Sequence, residues 1–210
     1  VSSRYTRRNR AEYRKIAGYI ARCVWQRQGN YMVFFPSYRL MEDVLQVYEE
    51  EFSVDWVRCV CQTPDMTEQE REGFLEEFQE REGTLVGFCV LGGIFSEGVD
   101  LTGESLIGAV IVGTGLPQIG SQREILKEYY DKKNHCGFDY AYRYPGMNKV
   151  LQAAGRVIRT KEDKGVILLL DDRFWDRDYQ EIFPREWQDR TGCRLDTVEG
   201  AVETFWKRFT

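Results

Sequence analysis

Between residues 149 and 171 the chain reads KVLQAAGRVIRTKEDKGVILLLD, which sets Gln152, Gly155, Arg156 and Arg159 at the spacing Q-x-x-G-R-x-x-R. At roughly 100° per residue, positions 152, 156 and 159 share one helical face, while Ala153, Ala154, Val157 and Ile158 can turn toward a core. One amide and two guanidinium groups make a planar, charge-dense donor surface suited to phosphate oxygens. If that surface met the γ-phosphate of a nucleotide, the arginines would act as arginine fingers. An isolated R-x-x-R is ordinarily a solvated helix face. The glycine before Arg156 and the glutamine four residues upstream favour the phosphate reading.

A second stretch, GGIFSEGVDL (92–101), follows an apolar run and gathers Gly92, Gly93 and Gly98 around Ser96, Glu97 and Asp100. Its glycines permit a sharp turn and a close backbone approach to a ligand. Exposed N–H groups there could hold phosphate oxygens, and Asp100 could accept from sugar hydroxyls. A tight turn with a helix-capping Asp explains the same residues equally well. No G-x-x-x-x-G-K-[ST] occurs anywhere, because GTGLPQIGS lacks the lysine, and no acidic pair closes a strand to hold Mg²⁺. Finger-like arginines without a nucleotide cradle exclude a complete ATPase.

These residues must be positioned by elements that the hydrophobic pattern outlines. Residues 9–27 form an amphipathic helix, with Tyr13, Ile16, Ala17, Ile20 and Val24 on one face. Strands are expected at 31–35, 57–61, 84–93, 106–113 and 165–171. Helices are expected over 36–52 with Ser37 near the N-cap, after Thr67 with Glu70 in a capping box, over 122–134, and from Met147 to Arg159. CGFDYAYRYPGM (136–147) reads as an aromatic-rich loop. Continuous apolar strands separated by helices mean a mainly parallel sheet covered on both faces, hence a doubly wound α/β fold. In such folds ligands gather at the carboxyl ends of the strands. Residues 36–39, 92–100 and 113–118 are expected there.

Composition fits an ordinary globular protein: 42% hydrophobic and 30% charged residues with five prolines, and one domain over 1–210 is expected. The net charge of −5 hides an asymmetry. Residues 1–30 carry Arg4, Arg7, Arg8, Arg10, Arg14, Lys15, Arg22 and Arg27 against Glu12 alone, whereas 41–82 are heavily acidic. Cysteines 23, 59, 61, 89, 136 and 193 include no C-x-x-C pair, and His135 is the single histidine. No metal site is therefore expected, and reduced thiols in a cytoplasmic protein are. No apolar stretch approaches the ~20 residues of a membrane span. The chain begins at Val1 rather than Met, as a fragment or processed chain would.

FFPSY (34–38), GGIFSEGVDL (92–101) and QAAGRVIRTKEDKGVILLLDDRF (152–174) resemble, in order and spacing, motifs IV, V and VI of superfamily two helicases of the XPD/DinG branch. The resemblance spans roughly residues 9–190 and implies the second, C-terminal RecA-like motor domain, with a helical and aromatic insertion around 119–148. It implies that Arg156 and Arg159 reach a triphosphate bound by the first motor domain, and that Gln152 contacts the nucleotide or the attacking water. Glu97, Gly98, Asp100 and Gly155 would bind nucleotide or couple its state to the strand. Ser37, Tyr38 and Ser96 would face single-stranded DNA. It further implies 5′→3′ translocation driven by ATP and Mg²⁺ held mainly by the first domain, which is expected upstream of Val1. An iron–sulfur cluster, common in the family, would sit in that domain and not on these cysteines. Within the insertion, Tyr140, Tyr142, Arg143 and Tyr144 would stack on bases or form a packing cluster. The reading from a different class is a non-catalytic nucleic-acid- or partner-binding module that retains the fold.

Overall fold

The central strands are almost wholly apolar, so each needs cover on both sides, and the chain supplies it with two helical layers. A computed structural model of the chain describes residues 1–79, 83–95, 106–158 and 160–209. Strands β1 (Asn30–Phe35), β2 (Val57–Cys61), β3 (Thr84–Val90), β4 (Gly108–Val112) and β5 (Val166–Leu170) form one sheet in the order β2-β3-β1-β4-β5. Every neighbouring pair is parallel, with Val33 beside both Phe88 and Val110 at the centre. All six residues of β1 are buried.

Side chains alternate between the two layers. Tyr31, Val33, Phe35, Val86, Phe88, Val110 and Val112 face helices α1 (Arg10–Val24), α2 (Tyr38–Glu51) and α7 (Val198–Trp206). Phe88 anchors this layer, its ring 5.9 Å from Phe35 and 5.7 Å from Tyr48. Met32, Phe34, Leu85, Cys89, Ala109 and Ile111 face α3 (Glu68–Glu77) and α5 (Tyr144–Ala154). Phe74 stacks on Phe95 at 4.2 Å on that side.

Local signals place most helix starts. Asn9 accepts from the Glu12 N–H at 3.0 Å, Ser37 accepts from the Leu40 N–H, and Thr67 and Glu70 form the expected reciprocal box. The acidic end of α2 meets the basic face of α1: Arg10 pairs with Glu50 at 2.7 Å and Arg14 with Glu51 at 2.5 Å. These exposed pairs add little stability, but they spend part of the amino-terminal basic block inside the fold.

Residues 136–147 are not a loop. Helix α4 (Ser121–Asn134) is followed by a π-helical turn (Asp139–Arg143) that runs directly into α5. Pro145, which reads as a breaker, sits where the π-helical turn passes into α5, and the Ala141 carbonyl four residues before it accepts instead from the Arg123 guanidinium at 2.9 Å. α5 also ends sooner than its pattern suggests, at Ala154 rather than Arg159. Tyr142 is buried and donates to Glu124, while Arg143 pairs with Asp139 and, at 2.8 Å, with Asp178. The Tyr140 ring is stacked on Tyr130 at 3.9 Å and meets Tyr144 edge-on at 5.2 Å. Tyr142 and Arg143 are thus turned inward, whereas Tyr140 and Tyr144 stay exposed.

At the carboxyl ends of β4 and β5 the chain binds its own amino-terminal segment. The Ser3 N–H and hydroxyl donate to one Asp171 oxygen at 2.8 and 2.6 Å, and Arg173 donates to both Asp171 oxygens and to Ser3. Ser3 is seated against Gly113, where a Cβ would lie 2.5 Å from its hydroxyl oxygen. Chain leaves β1 for one helical layer and β4 for the other, so this is the crevice between diverging connections where doubly wound sheets receive ligands. Here Ser3 fills it.

Burial by itself would raise the Asp171 pKa. The hydrogen bonds from Arg173 and Ser3 outweigh it and hold the carboxyl well below the usual carboxylate range. A carboxyl depressed in the folded state contributes stability that is complete above about pH 4 and is lost as pH falls. Asp171→Ala strands the Arg173 guanidinium and is expected to cost about 3 kcal/mol in urea unfolding at pH 7. The gap between variant and wild type should narrow as pH is lowered below about 4. A gap independent of pH would show that the carboxylate charge is not what holds the segment.

Candidate functional site

Ser37, Tyr38 and Gly92 come together at the carboxyl edge of the sheet. Ser37 and Tyr38 leave β1 directly, and both are half-buried. The Ser37 hydroxyl accepts from Leu40 N–H at 3.4 Å and keeps its own proton available for a ligand. Tyr38 accepts at its hydroxyl from the Gln62 side chain at 2.9 Å. Burial raises the Tyr38 pKa, opposed by that donated bond, so the phenol stays protonated at neutral pH and can donate outward.

Gln62 is a residue that pattern reasoning passed over. It is 2% exposed, follows the end of β2, and its amide oxygen accepts from the Val90 N–H at 3.0 Å. One buried amide therefore ties the exits of β1, β2 and β3 into a single edge. Gly93 packs on the same amide, where a Cβ would lie 3.1 Å from Nε2. The signal was positional: Gln62 stands just past a strand end, as Ser37 and Gly92 do.

α5 links this edge to the opposite one. Its first turn meets the chain leaving β4, with a Cβ on Gly146 only 2.6 Å from the Thr114 carbonyl oxygen, so glycine is required for that approach. Beyond its last turn, Val157 packs on Gly165 and Ile107 at the strands' amino ends. Lys149 and Gln152 are one turn apart along α5, half-buried and exposed respectively. Gly155 caps the helix without a left-handed backbone (φ −65°). The Arg156 and Val157 N–H groups bond back three residues, to Ala153 and Ala154, so the helix tightens there. Arg156 is half-buried and sits past the regular helix, which rotates it relative to Gln152. The single face uniting 152, 156 and 159 would have required a regular helix through 159.

The candidate residues therefore fall at two places: Ser37, Tyr38 and Gly92 at the carboxyl edge, and Arg156 toward the amino edge, with Gln152 between. Ser96, Glu97, Gly98, Asp100 and Arg159 lie outside the described residues. Chemically the described set consists of hydroxyl, amide and cationic donors, which fits phosphate oxygens and offers nothing to a cation. Among the described residues no group of His, Cys, Asp and Glu is arranged to hold a metal, and no helix is long and apolar enough to cross a membrane. All six cysteines are free thiols. Burial pushes the Cys23 thiol up to about 12 and the Cys89 thiol well above its usual value, which keeps both protonated.

Comparison with known proteins agrees with this geometry. Residues 20–190 match the family described as the helicase C-terminal domain. The ATP-dependent DNA helicase XPD of Sulfolobus acidocaldarius is 29% identical over 185 residues, covering 83% of this chain and 30% of that protein. A regulator of telomere elongation helicase 1 homolog of Drosophila persimilis is 28% identical over 178 residues, covering 78% of this chain and 17% of its own length. The chain thus spans a third or less of these relatives. A solved XPD helicase structure superposes with a TM-score of 0.69 at 25% identity, over 86% of this chain and 32% of that one. The C-terminal domain of the DEAD-box protein Dbp5, at 14% identity and a TM-score of 0.52, covers 92% of this chain and 91% of its own, and shares the RecA-like fold alone. A five-stranded parallel RecA-like sheet accords with these likenesses, and the chain belongs to the helicase C-terminal domain family in its XPD/DinG-type branch.

Proposed function

We propose that the chain is the second motor domain of an ATP-dependent DNA helicase, one domain over 1–210 with an insertion at 119–148. It completes, but does not hold, an ATP site. The observation that carries this reading is the contrast between two phosphate-suited features. The crevice where a doubly wound sheet would receive its own ligand is filled by Ser3 and closed by Asp171 and Arg173. The donors of α5 and the turn after it lie elsewhere, suited to a phosphate presented from another domain.

In this reading Arg156 and Arg159 stabilise the charge that develops on the transferred phosphoryl oxygens as water attacks the γ-phosphorus and ADP leaves. Gln152 orients that water or the nucleotide. Mg²⁺, held by the first domain, would neutralise the β- and γ-phosphate oxygens. Gly155 lets the backbone carrying Arg156 approach the nucleotide, and Glu97, Gly98 and Asp100 couple its state to the strand. An iron–sulfur cluster, where the parent protein has one, would also belong to the first domain.

Single-stranded DNA would cross the carboxyl edge on Ser37, Tyr38 and Ser96, moving 5′→3′ as the cleft closes and opens. The Gln62 bridge supports this track, because it fixes the Tyr38 hydroxyl relative to the exit of β3. Backbone contacts of this kind are salt-dependent and weakly sequence-selective.

Purified residues 1–210 are expected to show no DNA-stimulated ATP turnover; robust turnover would overturn the reading. In the full-length protein, Arg156→Ala should lower kcat for ATP by about 10³-fold or more while strand affinity stays within about twofold. Normal turnover with lost strand binding would instead place Arg156 on the DNA track. Tyr38→Ala should weaken binding of an oligo-dT strand by about tenfold, from a lost contact of 1–3 kcal/mol, without changing the KM for ATP. Unchanged affinity at moderate salt would remove Tyr38 from the track.

A further inference from the structure

We infer that Lys149, which belongs to none of the helicase motifs described above, makes a phosphate contact with the translocating strand. This rests on the motor-domain reading and extends it by one residue. Lys149 lies on α5 one turn before Gln152, with its side chain laid over Gly92 at the exit of β3. Gly92 has φ +71°, and a Cβ there would lie 2.8 Å from Lys149 Cε and 3.1 Å from its Nζ. The left-handed backbone demands glycine at 92, and the end of the Lys149 side chain lies against it.

Lys149 is half-buried and, among the described residues, makes no hydrogen bond or ion pair. An ammonium held at one place without an acceptor is open to a ligand anion. Its stem is held by Gly92 rather than free in solvent, so less side-chain freedom is lost when it binds. The ligand chemistry is a phosphate oxygen, which both a DNA strand and a nucleotide carry. Position favours the strand. Lys149 stands on the carboxyl edge, on the far side of the Gly92–Gly93 turn from Gln62 and Tyr38. Arg156 is seven residues further along, roughly 10 Å at the helical rise.

The test uses the full-length protein and a fluorescent oligo-dT strand, titrated between 50 and 200 mM salt without nucleotide. Removing one phosphate contact to a single strand reduces the slope of log K against log salt by about 0.7. Lys149→Gln should show that reduction with an unchanged KM for ATP. Lys149→Arg should keep the wild-type slope, and Lys207→Gln, which removes the same charge from the turn after α7, should keep it too. A wild-type slope in Lys149→Gln with a raised KM would assign the phosphate to the nucleotide and overturn the strand contact. A change in neither, with the wild-type melting temperature, would overturn the phosphate contact altogether. Salt-independent binding by the wild type would sink the motor-domain reading instead, and so is distinguishable from failure of this one.

Discussion

The three central strands of a parallel sheet buried on both faces leave their side chains no access to a ligand, and the placement of the candidate residues follows from that constraint. β1 contributes nothing to solvent along its whole length, and Phe88, Phe35 and Tyr48 close one layer as Phe74, Phe78 and Phe95 close the other. Chemistry is confined to the edges of the sheet and to the helices that run between them. α5 is the element that joins both edges, from the Gly146–Thr114 contact to Val157 against Gly165.

The two edges are organised differently. At the carboxyl edge, neutral hydrogen-bonding groups are locked together: Gln62 is buried and satisfied by Tyr38 and Val90, so the exits of three strands behave as one surface. Such a fully satisfied buried amide specifies geometry more than it adds stability. The neighbouring crevice is already occupied by Ser3, whose contact with Asp171 and Arg173 is the most buried ion-paired network described. Cationic donors lie along and past α5.

Much of this was legible in the sequence. The five strands, the two-layer fold and the caps at Ser37 and Thr67 follow from apolar runs and from side chains whose only useful bond is to a nearby N–H. The three motifs gave the family before any coordinate did. What failed was local and physical. Pro145 and the crowded aromatics of 136–147 look like a loop, yet Arg123 of α4 satisfies the Ala141 carbonyl before the proline and Tyr130 of α4 stacks on Tyr140. The end of α5 was placed late because 155–158 keep an amphipathic pattern through a tightened turn. Gln62 and Lys149 carry no motif. Each is significant only because of what folding sets beside it, a strand exit for one and Gly92 for the other.

As proposed, this chain supplies charge to a phosphate that another domain holds. That supply is tested most directly by the affinity of the full-length protein for ADP–aluminium fluoride, which mimics the transferring phosphoryl group, compared with ADP alone. Transition-state mimics gain 10²-fold or more over ground-state ligands where a site is complementary to the developing charge. The account predicts that Arg156→Ala loses about that much affinity for the mimic while ADP binding is unchanged. Equal affinity of variant and wild type for ADP–aluminium fluoride would contradict it.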